Sequence, residues 1–196
     1  MTKLMKAMHR GEKGMTGLET AIILIAFVTV AAVFGYAVLS AGLFSAERGK
    51  ETIYAGLNEA KSNMELSGSV IAKGSGDNVT SVLFTVKNAI AGNAIDMTPN
   101  SGGTAGQNKT VISVTTKNDY LNNVAWSFAA IGDDNGNNLL ETGEQFVVTV
   151  DLTAIGLSQP LQANDTFSLQ VKPSLGSTIT IQRQLPPAIE SVMDLH

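Results

Sequence analysis

The sequence predicts an α+β chain: one long hydrophobic N-terminal α-helix followed by an immunoglobulin-like antiparallel β-sandwich. Three observations carry this. Residues 21–39 are nineteen consecutive positions without a charge. No proline occurs before Pro99, so nothing in the first half forces a helix to stop. From about Leu66 the apolar period changes from helical spacing to alternation. The chain then divides into a short leader (1–14), a long helix (15–63) and an outer β-domain (64–196).

The leader is basic. It holds Lys3, Lys6, Arg10 and Lys13 against Glu12, a net +3, while the remainder has nine basic and sixteen acidic residues. A basic flank before an apolar helix is the pattern retained on the cytoplasmic side of a membrane. The acidic remainder, with no basic patch in its sequence, argues against nucleic-acid binding. With no cysteine there is neither a disulfide framework nor a thiolate metal site.

The apolar run spans roughly 28 Å at about 1.5 Å per residue, close to the hydrocarbon thickness of a bilayer. It is longer than the core of a secretory signal peptide, and Ser40-Ala41-Gly42 is a poor cleavage site. A plain membrane anchor fits length and charge but leaves Glu19 unexplained. A carboxylate at that depth is costly unless it is paired or reaches an interface.

The segment Lys13-Gly14-Met15-Thr16-Gly17-Leu18-Glu19 resembles the class III signal of the type IV pilin and archaeal flagellin (archaellin) superfamily. The apolar run that follows is similar to one archaellin subgroup. The resemblance is specific from about Lys13 to Gly56 and vague afterwards. It implies that a prepilin-type signal peptidase cuts between Gly14 and Met15, so that Gly17 becomes the third residue and Glu19 the fifth. It also implies a membrane-inserted precursor and a membrane assembly platform with a separate motor. The product would be an extracellular filament for swimming, in which the helices bundle as a core. In such a core Glu19 can meet the new α-amino group of Met15 on a neighbour and help set register. Two other readings stay open: an archaeal type IV adhesion pilin with the same leader and helix, and a membrane-anchored β-sandwich binding protein.

Without proline, the helix can continue well beyond the apolar run. Its second half is amphipathic, with Ile53, Leu57 and Ala60 opposite Glu47, Lys50, Glu51 and Lys61. Gly35, Gly42, Gly49 and Gly56 recur every seven residues. Each costs about 1 kcal/mol relative to alanine inside a helix, so a packing stripe that lets backbones approach is the expectation. A break at Gly49, or a helix ending near Phe44 with SAERGKE as a hinge, is the alternative.

Seven runs read as strands, each bounded by Gly, Asn, Asp or Pro: LSGSVIAKG, SVLFTVKN, KTVISVTTK, VAWSFAAI, EQFVVTVDL, DTFSLQVK and STITIQR. Trp126, Phe128, Phe146, Val148 and Val150 are expected in the core. Three tripeptides, beginning at Asn78, Asn108 and Asn164, are N-glycosylation acceptors. The archaellin resemblance strengthens the expectation that N-glycans occupy at least one.

Residues 133–144 nearly repeat a twelve-residue calcium loop. Asp133, Asn135, Asn137, the Leu139 carbonyl and Glu144 fall at ligand positions, for a weak structural Ca²⁺ site. Asn138 stands where that loop has glycine, and Asn tolerates the left-handed turn required there. An Asn/Gly-rich hairpin with solvated acids is the competing reading. No catalytic constellation appears. The histidines are His9 and His196, so no Ser–His–Asp or Cys–His set can be assembled, and no enzyme activity is expected.

Overall fold

In the computed structural model, which describes residues 16–100 and 108–196, helix α1 runs unbroken over Gly17–Lys61. Gly14 and Met15 lie outside the described residues. Forty-five residues at about 1.5 Å each make a rod on the order of 68 Å. The alternative of a hinge near Gly49 does not hold. Across that point the Arg48 guanidinium sits 5.2 Å from the Phe44 ring centroid and 3.0 Å from Glu51 Oε2. Contacts at i±3 and i±4 thus run through the segment as on any continuous helix face.

Two units separate in the chain, Met1–Ile53 and Tyr54–His196. The first comprises, among the described residues, the apolar part of α1. The second comprises the last two turns of α1 and the head.

The head is entirely antiparallel. Its strands are β1 (Met64–Leu66), β2 (Ile71–Ser75), β3 (Asn78–Asn88), β4 (Ile95–Asp96), β5 (Val111–Thr115) and β6 (Tyr120–Leu121). There follow β7 (Ser127–Ile131), β8 (Leu139–Leu140), β9 (Gln145–Asp151), β10 (Thr166–Lys172), β11 (Ile179–Gln184) and β12 (Met193–Asp194). One sheet has the order β12-β2-β3-β9-β7, with β1 also on β3; a second has β11-β10-β5-β6; β4 and β8 form a small pair. All seven runs with a period of two are strands. The five additional ones have two or three residues, too short for alternation to register.

Inward positions follow the pleat. Phe84, Val86, Phe146, Val148, Ile112, Val114, Leu169 and Val171 are fully buried and form one core. Phe128 and Phe146 stack with centroids 4.5 Å apart, and Trp126 lies 6.4 Å from Phe128. Trp126 and Phe146 are buried in the core as expected, while Phe128 is half-buried and packs against it.

The end of α1 is fixed to the head by backbone-scale contacts. Gly176 N–H donates to Glu59 Oε1 at 3.1 Å, and Ser177 N–H to Asn63 Oδ1 at 2.8 Å. Ala89 N–H donates to the Asn63 carbonyl at 2.9 Å. Two glycines allow this closeness. A Cβ on Gly92 would lie 2.6 Å from the Lys61 carbonyl oxygen, and one on Gly176 only 2.1 Å from that of Ser62. Gly176 also has φ +96°, which L side chains avoid. Gly176→Ala is therefore expected to cost roughly 2–4 kcal/mol, read from denaturant unfolding of the head in detergent-solubilised full-length protein. Gly56→Ala, where nothing lies within 4 Å, serves as the contrast and is expected to stabilise its helix by up to about 1 kcal/mol.

Candidate assembly surface and modification sites

The helix presents a surface that this chain alone does not cover. No residue of α1 is buried. The large apolar side chains from Leu18 to Phe44 are 56–76% exposed. A helix apolar on all faces belongs inside something, a bilayer or other protein. By length and composition α1 is able to cross a membrane.

At its start, Thr16 is the residue before the first helical turn, and its N–H donates to Glu19 Oε2 at 3.1 Å. This is the back-reaching half of a capping box, which satisfies one of the donors a helix N-terminus leaves unpaired. Glu19 also places a negative charge at the positive end of the helix dipole. The function of Glu19 within its own chain was legible as Thr-x-x-Glu ahead of an apolar run, a signal that the membrane-depth argument passed over.

Gly17, Gly35, Gly42, Gly49 and Gly56 are all open: an added Cβ would meet nothing within 4 Å. Among the described residues nothing requires glycine at these five positions.

The three acceptor asparagines differ in environment. Asn164 is exposed and holds a left-handed turn at φ +64°. Asn78, the first residue of β3, is half-buried, and its Oδ1 is enclosed without a hydrogen-bond partner. Asn108 is half-buried, and its Nδ2 donates to the Thr110 carbonyl at 3.0 Å and to Asn123 Oδ1 at 2.7 Å. Thr110 is itself buried, its hydroxyl donating to the Asp96 carbonyl at 2.8 Å.

The 133–144 loop folds differently from the calcium loop its spacing suggests. Asn138, expected to supply the left-handed turn, does not have positive φ. Gly136 (φ +82°) and Gly143 (φ +95°) do. The Asn138 carbonyl accepts the Met97 N–H at 2.7 Å, and Leu139–Leu140 is strand β8, paired with β4. Three of the expected ligand side chains, those of Asn135, Asn137 and Glu144, cap backbone amides. Asn135 Oδ1 accepts from Asn137 N–H at 3.0 Å, Asn137 Oδ1 from Leu139 N–H at 2.6 Å, and Glu144 Oε2 from Glu141 N–H at 2.9 Å. Asn135 Nδ2 in turn donates to Glu141 Oε2 at 3.0 Å. Among the described residues no three His, Cys, Asp or Glu side chains converge as metal ligands. The turn is built from its own amides, as Asn and Asp commonly build turns.

An exposed apolar helix joined to a folded antiparallel head defines the class: a protein that completes its fold in contact with other molecules. The archaeal-type flagellin family model matches residues 14–183. A curated relative, probable flagellin 1 of Archaeoglobus fulgidus, is 42% identical over 95% of this chain and 96% of its own length. The chain is also similar to the subunit in the structure of the archaeal flagellum of Methanospirillum hungatei. There the TM-score is 0.71 and the identity 28%, over 93% of this chain and all of that one. The crystal structure of archaeal flagellin FlaB1 from Methanocaldococcus jannaschii shares the fold at a TM-score of 0.56 and 12% identity, covering 67% of this chain and 95% of that one. The chain belongs to the archaeal-type flagellin family.

The asparagine environments separate two substitutions. Asn108→Ala removes two hydrogen bonds from a half-buried site and is expected to lower head stability by about 1–3 kcal/mol in denaturant unfolding. Asn164→Gly keeps the left-handed turn and its backbone bonds, so its effect is expected within about 0.5 kcal/mol.

Proposed function

We infer that this chain is the structural subunit of an archaellum filament, the extracellular filament used for swimming. The observation that carries the reading is the uncovered apolar surface of α1 in a member of the archaeal-type flagellin family. Each CH₂ group that leaves water when helices bundle contributes about 0.8 kcal/mol, so a surface of this extent supplies large gross stabilisation even after ordering costs. The heads then coat the helical core. Nothing in the reading asks the chain to perform catalysis; torque comes from a separate motor.

The maturation step follows the leader. We propose removal of residues 1–14 after Gly14 by a prepilin-type peptidase, acting on a membrane-inserted precursor before the subunit reaches its assembly platform. Protein sheared from cells is expected to begin at Met15 in Edman or intact-mass analysis. A chain that retains the leader, or begins beyond the apolar run, would sink the filament reading. A strain without the protein is expected to lose swimming. Normal swimming with lost surface attachment would favour the adhesion pilin instead.

Glu19 has two uses that one substitution separates. Glu19→Gln preserves an oxygen for the Thr16 N–H and removes the charge. If the carboxylate pairs with the Met15 α-amino group of a neighbour, Glu19→Gln is expected to give a membrane-held, helical protein that forms few or no filaments. Normal filaments from this variant would leave Glu19 only its cap.

The glycines of the stripe are proposed as close-approach points between helices of different copies. Exposure favours Asn164 as the first N-glycan site, ahead of Asn78 and Asn108. We further propose that the 133–144 loop folds without calcium. Adding calcium or a chelator is expected to leave the head's melting temperature unchanged, and a saturable rise with calcium would reinstate the cation site.

A further inference from the structure

The pleat of the β5–β10 pair puts Ile112, Val114, Leu169 and Val171 in the core, and therefore Val111, Ser113, Gln170 and Lys172 on the opposite face. There, Lys172 stands across from Val111 and Gln170 across from Ser113. With Lys109, Tyr120 and Asn122 these residues line an open groove of about 580 Å³. Its chemistry is one-sided. No carboxylate lines it. Neither Lys109 nor Lys172 has an ion pair among the described residues. Ser113 Oγ donates to Asn122 Oδ1 at 2.7 Å, which occupies that amide's oxygen and leaves its NH₂ as a donor. Tyr120 is 63% exposed and adds an uncovered ring. Two cations and two amide donors without an acid fit a carboxylate-bearing partner.

The chain carries such a partner itself. Residues 131–136 are exposed throughout and include Asp133 and Asp134, neither in an ion pair among the described residues. Gly132 (φ +88°) and Gly136 (φ +82°) turn the backbone sharply on either side of them. This loop follows β7, an edge strand of the other sheet, so groove and loop are unlike patches. We propose that the Lys109–Lys172 groove of one subunit receives the Asp133–Asp134 loop of a second copy. A contact between unlike patches is not self-complementary and, where its rotation does not close a ring, it propagates. The proposal rests on the filament reading and adds where two heads meet.

Carbodiimide, which joins amines to carboxylates in direct contact, tests it on native filaments by peptide mass spectrometry. The expected product links Lys109 or Lys172 to Asp133 or Asp134 in filaments and is absent from detergent-solubilised monomer. In parallel, Lys109→Glu with Lys172→Glu, and separately Asp133→Lys with Asp134→Lys, are each expected to lower the yield of sheared filament by roughly tenfold, because like charges then face each other. The four changes together are expected to restore it. All positions are exposed or at the groove mouth, and far-ultraviolet circular dichroism of each variant checks that the head still folds. Intact filaments that lack the cross-link while other lysine–carboxylate links form, or a fourfold variant no better than its halves, would overturn the groove contact and leave the filament reading standing. Wild-type protein that forms no filament would instead overturn that reading.

Discussion

The constraint on which the rest depends is that no residue of α1 is buried among the described residues. From Leu18 to Phe44 the helix is apolar on every side, and none of it is buried. The exposed surface calls for an apolar surrounding, which lipid or other copies of α1 would each supply. Both satisfy the backbone, since a helix carries its hydrogen bonds internally and tolerates either surrounding. The continuity of the rod from Gly17 to Lys61 matters for the same reason, because a hinge would divide one cohesive surface into two weaker ones.

Apolar burial is strong but not directional. It holds helices together without deciding their relative height or rotation. Register has to come from features that are costly when misplaced, and the roles proposed for Glu19, the glycine stripe and the head charges are of that kind. Glu19 is instructive because its role in the isolated chain is already complete. It caps the Thr16 amide and faces the positive end of the helix dipole. A carboxylate that is well placed before assembly needs little rearrangement to serve during it.

Much of this was legible in the sequence, for reasons that lie in the residues. The uncharged run and the missing prolines gave the helix. Alternation in SVLFTVKN, EQFVVTVDL and DTFSLQVK gave β3, β9 and β10, whose inward faces hold Phe84, Phe146 and Phe167. Strands such as β4, β6 and β8 were not legible, because two residues cannot display a period, and β4 and β8 are fixed by each other from distant parts of the chain. The 133–144 loop shows the opposite case. Acids and amides at calcium-loop spacing describe composition, whereas the turn depends on which positions take positive φ. Those positions are Gly136 and Gly143, and the oxygens turn inward to cap the loop's own amides. The Thr16–Glu19 cap was available from a local pattern. The clamp of Gly92 and Gly176 on the end of α1 was not, since it brings together residues from separate parts of the chain, Gly176 and Glu59 lying more than a hundred positions apart.

That clamp also bears on the groove. Gly176 and Ser177 amides donate to the side chains of Glu59, at the end of α1, and of Asn63 just beyond it, and the passage of Gly176 over the Ser62 carbonyl leaves no room for a Cβ. The groove lies next to it in the chain, since Pro173, Ser174 and Thr178 also line it. The loop between β10 and β11 is thus anchored at Gly176 and Ser177, and the same hydrogen bonds that hold Glu59 and Asn63 fix the rim of the groove. A rim fixed before any contact forms loses little freedom when it meets a partner.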